Sequence, residues 1–261
     1  MRKTLIKLLF LVLALCLGAC MFTACSNNDG EQGSESLMFE KISGKDEYCV
    51  VGLGEVSSWD IVIPSTYKGL PVTEIGENAF SAGYNGDERT ENITSIVLPN
   101  SITQLGDGAF FGCISLTSIQ LSNAITSIGT NTFYNCDSLT SIVMPNSVTS
   151  IGYQSFYGCN SLTNVSISNS LTIIGQSAFY ECVSLKNVVI PSSVTKIGAF
   201  AFYNCDSLGK IVIPSSVVTM DAQIFSACDN LTIYCEVASK PSGWTDFWNY
   251  QGKPVVWGRT E

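Results

Sequence analysis

Apolar residues recur along most of the chain at a fixed step of 23 residues. Phenylalanine and cysteine both keep this step, at Phe110, Phe133, Phe156, Phe179, Phe202 and Phe225 and at Cys113, Cys136, Cys159, Cys182, Cys205 and Cys228. A period in the twenties is typical of solenoids, in which one structural unit is stacked on the next. One unit of this length cannot bury its own apolar residues, so the pattern predicts a stack of coils that share a core.

Each repeated unit predicts two short extended segments and a turn. In the segments SIVMP and NVVIP alternate residues are apolar, which places Ile142 and Met144 on the inner side of a strand. Pro145 ends this strand, because proline lacks the N–H that a continuing ladder needs. A second segment ends at a glycine and leads into AFYNC, which is predicted to form a tight turn or one helical turn. Stacking such strands about 4.8 Å apart gives a parallel, mainly β solenoid.

The unit resembles the leucine-rich repeat of the BspA-like family, also called the Treponema-type repeat. The stretch AFYECVSLKNVVIPSSVTKIGAF matches the family pattern L-x-x-I-x-I-P with an A-F-x-x-C turn almost throughout, and the resemblance extends over roughly Tyr48 to Gly258. It implies a right-handed leucine-rich coil with short parallel strands. It also implies a cell-surface protein that acts in adhesion or in contacts with host proteins, although such repeats serve many functions.

Departures from the repeat divide the chain into regions. We expect a lipoprotein signal peptide in 1–25, a flexible tether in 26–38, a cap hairpin with a lengthened first coil in 39–78, the solenoid in 79–234 and a C-terminal cap in 235–261. The hairpin is predicted to turn at Ser43 to Asp46, and an insertion near 84–92 to protrude from a turn. Trp244, Trp248 and Trp257 are expected to close the last coil.

The first 25 residues have the layout of a secretory signal. Three basic residues precede an apolar run from Leu8 to Leu17, and small residues then lead into cysteines. LGAC, ending at Cys20, and FTAC, ending at Cys25, both resemble the bacterial lipobox, whose cysteine is lipidated. Because a polar, tether-like stretch follows Cys25, this residue is the predicted lipidation site and Cys20 is the alternative. The expected location is the outer face of a bacterial membrane, with the lipid as the only membrane contact. A plain secretory peptide or an uncleaved anchor would also send the chain outward.

Composition argues against several classes of function. The chain has 22 acidic and 13 basic residues, a net charge of −9, and no basic run interleaved with aromatic residues. Such a chain is not expected to bind nucleic acid. It also contains no histidine, which removes the common nucleophilic triads and the side chain best suited to proton transfer near neutral pH. We expect neither catalysis nor a cofactor.

The repeated cysteines allow three interpretations. Zinc sites need closely spaced cysteines, which a uniform step of 23 does not provide, so no metal site is predicted. Disulfides are common in secreted proteins, but equivalent side chains in stacked coils point the same way, with Cβ atoms about 5 Å apart, which is beyond the usual disulfide range. We therefore predict a column of buried thiols that fill space and donate to turn carbonyls. Whether Cys49 or Cys235 pairs is left open.

Outward residues of the strands form columns in which a ligand could bind. One column contains Ser118, Ser141, Asn164, Asn187 and Lys210, and its neighbour contains Val97, Gln120, Val143, Ser166, Val189 and Val212. The predicted contacts to an extracellular or host protein are Val143, Asn164, Asn187, Val189, Lys210 and Val212. Valine is also favoured in strands in general, so these valines can equally reflect strand formation alone. A glycan-binding module, using this neutral face or the tryptophans, and a structural envelope component are the alternatives.

Overall fold

The computed structural model of the chain describes residues 37–83 and 87–259. The predicted signal peptide and its two candidate lipidation sites therefore lie outside the described residues. Over the described ranges the chain is a mainly β solenoid, as the repeat predicts. No helix within these ranges has both the length and the apolar character to cross a bilayer.

The chain forms nineteen strands and a single 3₁₀ helix over these ranges. The strands are β1 (Leu37–Lys41), β2 (Tyr48–Leu53), β3 (Asp60–Val62), β4 (Thr66–Tyr67), β5 (Leu70–Ile75), β6 (Ser95–Val97), β7 (Gln104–Leu105), β8 (Ser118–Gln120), β9 (Ser127–Ile128), β10 (Ser141–Val143), β11 (Ser150–Ile151), β12 (Asn164–Ser166), β13 (Ile173–Ile174), β14 (Asn187–Val188), β15 (Lys196–Ile197), β16 (Lys210–Ile213), β17 (Thr219–Met220), β18 (Thr232–Cys235) and β19 (Val255–Trp257). The helix spans Glu88–Asn92, inside the predicted insertion.

The longer strand of each coil contributes to what we call the first ladder. It consists of three parallel sheets, with strand orders β3-β6-β8, β10-β12-β14 and β16-β18-β19. Ile142 pairs with Val165, which pairs with Val188, so equivalent residues of successive coils lie side by side. In the last sheet Lys210 pairs with Thr232, a step of 22 residues. Paired residues are thus 23 apart in the middle sheet of the first ladder and 22 apart in the last sheet.

The shorter strands form the second ladder, in which β9, β11, β13, β15 and β17 pair in parallel and β7 pairs with β5. A glycine follows several of these strands, because successive coils approach closely there. A Cβ atom on Gly175 would lie 2.6 Å from the carbonyl oxygens of both Ile151 and Gly152. Only a residue without a side chain fits such a contact.

The third side of each coil is a turn, and no helical turn forms in the AFYNC stretch. Main-chain hydrogen bonds link these turns from coil to coil; the N–H of Phe156, for instance, donates to the carbonyl of Ala178 at 2.8 Å. Two residues per turn adopt left-handed backbone angles, and in several coils these include residues without special tolerance for them, such as Phe200 (φ 57°) and Ala227 (φ 60°). Inter-coil pairing therefore extends around all three sides.

The core consists of aligned columns of identical side chains. Phe133 and Phe156, in neighbouring coils, stack with ring centroids 5.2 Å apart and planes 12° apart, and both are fully buried. The six repeat cysteines are also fully buried, as are the leucines three residues after them. Burying one such aromatic ring contributes about 3–5 kcal/mol, judged by the usual cost of its removal.

Distinct structures cover the two ends of the described solenoid. At the N-terminal end β1 and β2 form an antiparallel hairpin, and β2 pairs with β5. Leu37 in β1 pairs with Leu53 and is buried. At the other end the indole N–H of Trp244 donates to the carbonyl of Val217 at 2.9 Å.

The candidate binding face

The outward residues of the first ladder form one unusually apolar column. Within the three sheets Val62 pairs with Val97 and then Gln120, Val143 pairs with Ser166, and Val212 pairs with Tyr234 and then Val256. Val143 is 68% exposed and Val189 is 80% exposed. Valines this exposed on so regular a strand face distinguish the column from the rest of the surface. We call it the valine column.

Five of the six residues predicted as contacts lie in strands of the first ladder, on two different sheets. Asn164 and Asn187 pair directly, in β12 and β14, and both are exposed. Lys210 and Val212 belong to β16, which starts the next sheet, and Val212 is only partly exposed. Val189 follows the end of β14 and belongs to no strand. The predicted site is therefore crossed by a break in strand pairing between β14 and β16.

Sequence reasoning missed the ends of the valine column. Val62 at the N-terminal end is 51% exposed, and Val256 at the C-terminal end is 37% exposed. Tyr234 lies between Val212 and Val256 in the pairing. The signal that could have found the C-terminal end is the step of 22, which leads from Val212 to Tyr234 and on to Val256. Val62 lies 35 residues before its partner Val97, so neither step finds it. A search for residues spaced strictly 23 apart does not find these residues.

A column of threonines lies beside the serine and asparagine column, and its hydroxyl groups already have partners within the protein. The Thr117 hydroxyl donates to the carbonyl of Thr94 at 3.0 Å, and the Thr163 hydroxyl donates to that of Thr140 at 3.0 Å. These donors are occupied by the preceding coil. The valine column, by contrast, has exposed apolar side chains that a partner could bury.

The thiols behave as predicted for buried residues. The Cys159 thiol donates to the carbonyl of Phe133 at 3.1 Å, and the other five repeat cysteines donate to the equivalent carbonyls. Burial raises the pKa of Cys113 and Cys159 well above the ordinary thiol value. It also raises the pKa of the half-buried Cys49 to about 11 and of Cys235 to about 12. Thiols held neutral in this way are poor nucleophiles, since the thiolate is the reactive form.

A half-buried stack of aromatic rings runs along the turn side. Phe111, Tyr134, Tyr157, Tyr180 and Tyr203 stack in order, with centroids 4.4 to 4.7 Å apart. Burial, with the nearby charge of Glu181, raises the pKa of Tyr157 to about 12. The faces of these rings contact one another, so only the ring edges are accessible to a ligand. This stack stabilises the turns and offers no obvious binding surface.

Two tryptophans of the C-terminal cap are buried. Trp244 is 2% exposed and Trp248 is 5% exposed, and their centroids lie 5.0 Å apart. Neither ring therefore has an exposed face on which a sugar could stack. Two other aromatic residues of the cap are exposed instead, Phe247 at 61% and Tyr250 at 62%, with centroids 6.4 Å apart.

The repeats of this chain match a known protein family. A family model described as "BspA type Leucine rich repeat region" matches in six copies, over residues 73–205 and 154–237. The comparison with curated proteins gave no match.

Solved structures of leucine-rich repeat proteins also resemble the chain. A leucine-rich cell surface protein from Faecalibacterium prausnitzii A2-165 is 28% identical with a TM-score of 0.68, and the match covers 87% of this chain and 58% of that one. The chain thus spans little more than half of that structure. The leucine-rich repeat protein of T. pallidum is 24% identical with a TM-score of 0.62, covering 88% of this chain and all of the other, and shows the same fold.

Proposed function

The chain belongs to the family of BspA-type leucine-rich repeat proteins, and from this we propose that it is a non-enzymatic scaffold that binds an extracellular protein through the valine column. The family suggests a protein-interaction role in general, and the cell-surface protein of F. prausnitzii suggests a surface location. Adhesion to a host or neighbouring cell is the specific role that we propose.

The observation that carries this proposal is the exposure of Val143 and Val189, at 68% and 80%. Leaving such side chains in water is unfavourable by roughly 1 to 2 kcal/mol each, so a partner that covers them gains binding free energy. Solenoids commonly use extended faces of this kind for partners. In this proposal Val143, Val189 and Val212 supply the apolar contact area, and Asn164, Asn187 and Lys210 supply polar contacts at its border.

The test is a binding screen of the full-length protein, kept in a mild detergent, against extracellular-matrix and cell-surface proteins. Any saturable partner is then measured against the double variant Val143→Ser, Val189→Ser. Serine is chosen because Ser166 already occupies the same column, so the fold tolerates it. The matched control is Val218→Thr, which removes a valine that is 59% exposed but precedes β17 on the second ladder.

We expect the double variant to bind at least about tenfold more weakly, since two central apolar contacts are lost. The control should bind like the wild type, and circular dichroism should show the same fold for all three. A partner that binds the double variant and the wild type equally would contradict the use of this face.

We also propose that the protein is anchored at the outer face of a bacterial membrane by a lipid on Cys25, with Cys20 as the alternative. Metabolic labelling with an alkyne fatty acid tests this directly. Cys25→Ser should abolish labelling, while Cys20→Ser should retain it. If Cys20→Ser abolishes labelling and Cys25→Ser retains it, the lipid is attached to Cys20. If the wild type is not labelled, the segment is a plain secretory signal or an uncleaved anchor.

The exposed pair Phe247 and Tyr250 supports glycan binding as a second candidate function. Two adjacent aromatic rings, tilted by 48°, form the type of surface on which sugar rings stack. A glycan array with the wild type and the double variant Phe247→Ala, Tyr250→Ala tests this candidate. Binding that disappears in this variant but persists in Val143→Ser, Val189→Ser would favour the glycan function.

A further inference from the structure

Two cationic side chains meet at one tyrosine near the C-terminal end of the valine column. The Lys210 ammonium nitrogen lies 5.2 Å from the centroid of the Tyr234 ring, and the Arg259 guanidinium carbon lies 5.1 Å from it. Tyr234 points outward from β18, because its neighbours Ile233 and Cys235 are buried. Cation–π contacts of this length hold both charges close to the ring.

Neither cation has an acidic partner among the described residues. Six other cations of the same ranges do have an acidic partner, as Lys196 has in Asp221 and Lys253 has in Asp229. The carboxylate of Glu236, which follows β18, accepts the backbone N–H of Ser215 at 2.8 Å and is thus engaged with the preceding coil. The chain has a net charge of −9, yet no carboxylate of the described residues pairs with these two adjacent cations. A negatively charged group of a partner would complete this site.

The immediate neighbours of the two cations are apolar. Val212 and Val256 pair with Tyr234 on either side, and Val256 is 37% exposed. Tyr234, which both cations contact, therefore belongs to the valine column, and the site combines positive charge beside the column with an apolar border. A partner that fits must carry negative charge and apolar side chains close together.

We propose that this end of the column, formed by Lys210, Val212, Tyr234, Val256 and Arg259, binds an acidic peptide segment of the partner protein. A carboxylate of the segment pairs with Arg259 and Lys210, and flanking apolar side chains pack on the two valines. Arginine suits this role because its planar group can hold a carboxylate through two hydrogen bonds. A sulfated glycan would satisfy the charges but would place hydroxyl groups against the valines, so the apolar neighbours favour a peptide. This inference rests on the proposed protein-binding function of the column and narrows its partner class.

The test selects random dodecapeptides displayed on phage against the immobilised full-length protein in mild detergent. We expect the selected peptides to be enriched in Asp and Glu next to apolar residues. Synthetic versions should bind the double variant Lys210→Gln, Arg259→Gln about tenfold more weakly than the wild type, and raised salt should weaken binding to the wild type only. Lys210→Arg should keep most of the affinity because it keeps the charge. Lys196→Gln, on the second ladder, is the matched control and should have no effect.

The outcomes separate this inference from the proposed function. Selected peptides without acidic residues, or with equal affinity for the double variant, would overturn the inference. If such peptides still lose affinity for Val143→Ser, Val189→Ser, the valine column remains a protein-binding face. If heparin binds the cationic pair and no acidic peptide does, the site recognises a sulfated glycan and the inference is wrong.

Discussion

The thiol of Cys159 donates a hydrogen bond to the carbonyl oxygen of Phe133, 26 residues upstream, at 3.1 Å. This contact crosses from one coil to the preceding one, and it recurs in each coil that carries a repeat cysteine. The cysteine thus has two tasks, since it fills a small buried space and satisfies a carbonyl that faces the core.

The first prediction concerns this contact. Cys159→Ala should lower the free energy of unfolding by about 1–2.5 kcal/mol, since it removes both the sulfur volume and the hydrogen bond. Urea titration measures the change. Cys49→Ala is the control: this thiol is half-buried in the N-terminal hairpin, and its loss should cost clearly less. Equal losses in the two variants would show that the inter-coil contact contributes little.

The second prediction is that the protein loses stability as the pH rises above about 9. Burial raises the pKa of five repeat thiols in the folded state, those of Cys113, Cys136, Cys159, Cys182 and Cys205. The hydrogen bond with Cys205 lowers the pKa of the sixth, Cys228, whose effect has the opposite sign. Below the unfolded thiol pKa of 9.0 both states keep their protons, so the full stability is present. Above it only the unfolded chain loses protons from the five thiols, and each of them then removes up to about 1.4 kcal/mol per pH unit.

Urea midpoints between pH 7 and 10 measure this effect. The double variant Cys136→Ala, Cys159→Ala should start less stable but lose stability less steeply with pH, because two titrating groups are gone. If its slope equals that of the wild type, the alkaline loss has another origin. Thiol reagents should label the repeat cysteines only after unfolding.

The third prediction concerns the left-handed residues of the turns. Ala227 has a φ of 60°, whereas the equivalent position in an earlier coil is a glycine, Gly158, with a φ of 67°. Ala227→Gly should stabilise the protein by about 0.5–1 kcal/mol, because it relieves the clash of a Cβ atom in this region. Gly158→Ala should do the opposite, since its Cβ would lie 2.2 Å from the Asn135 side-chain oxygen. Thermal melting of both variants checks the two signs, and a shift in the same direction would contradict the explanation.

The fourth prediction concerns the close approach of coils on the second ladder. Gly175→Ala should cost about 2–3 kcal/mol, because its Cβ would meet backbone oxygens that cannot move aside. Gly209→Ala provides the control, as an added Cβ there meets nothing within 4 Å. Its effect should stay within about 0.5 kcal/mol. A small effect at Gly175 would mean that the coils can separate to accept a methyl group.

Much of the fold follows from the period alone. Residues 23 apart must be equivalent in a stack, so the period is sufficient to place Phe156, Cys159 and Ile142 in the core, where all three are buried. The same reasoning identifies Val143 and Val189 as outward-facing, because they alternate with buried neighbours.

Other features depend on contacts that no period records. The break in pairing between β14 and β16 is one such feature, since the period of 23 residues continues across it from Asn187 to Lys210. The pairing of Lys210 and Arg259 with Tyr234 joins residues from a regular coil and from the cap, where the step changes to 22. The exposure of Phe247 beside the buried Trp248 depends on the path of the cap, which has no repeat to predict it.

The hydrogen bonds between coils also determine how the solenoid responds to force. These bonds join one coil to the next. A force along the solenoid axis therefore acts on the bonds between one pair of coils at a time, and the coils separate one after another. The two breaks in the first ladder, between β8 and β10 and between β14 and β16, give that process natural starting points, because no strand pairing crosses them. A protein held at one end to a cell and at the other to its partner would then lengthen under tension, absorbing mechanical work before the attachment breaks.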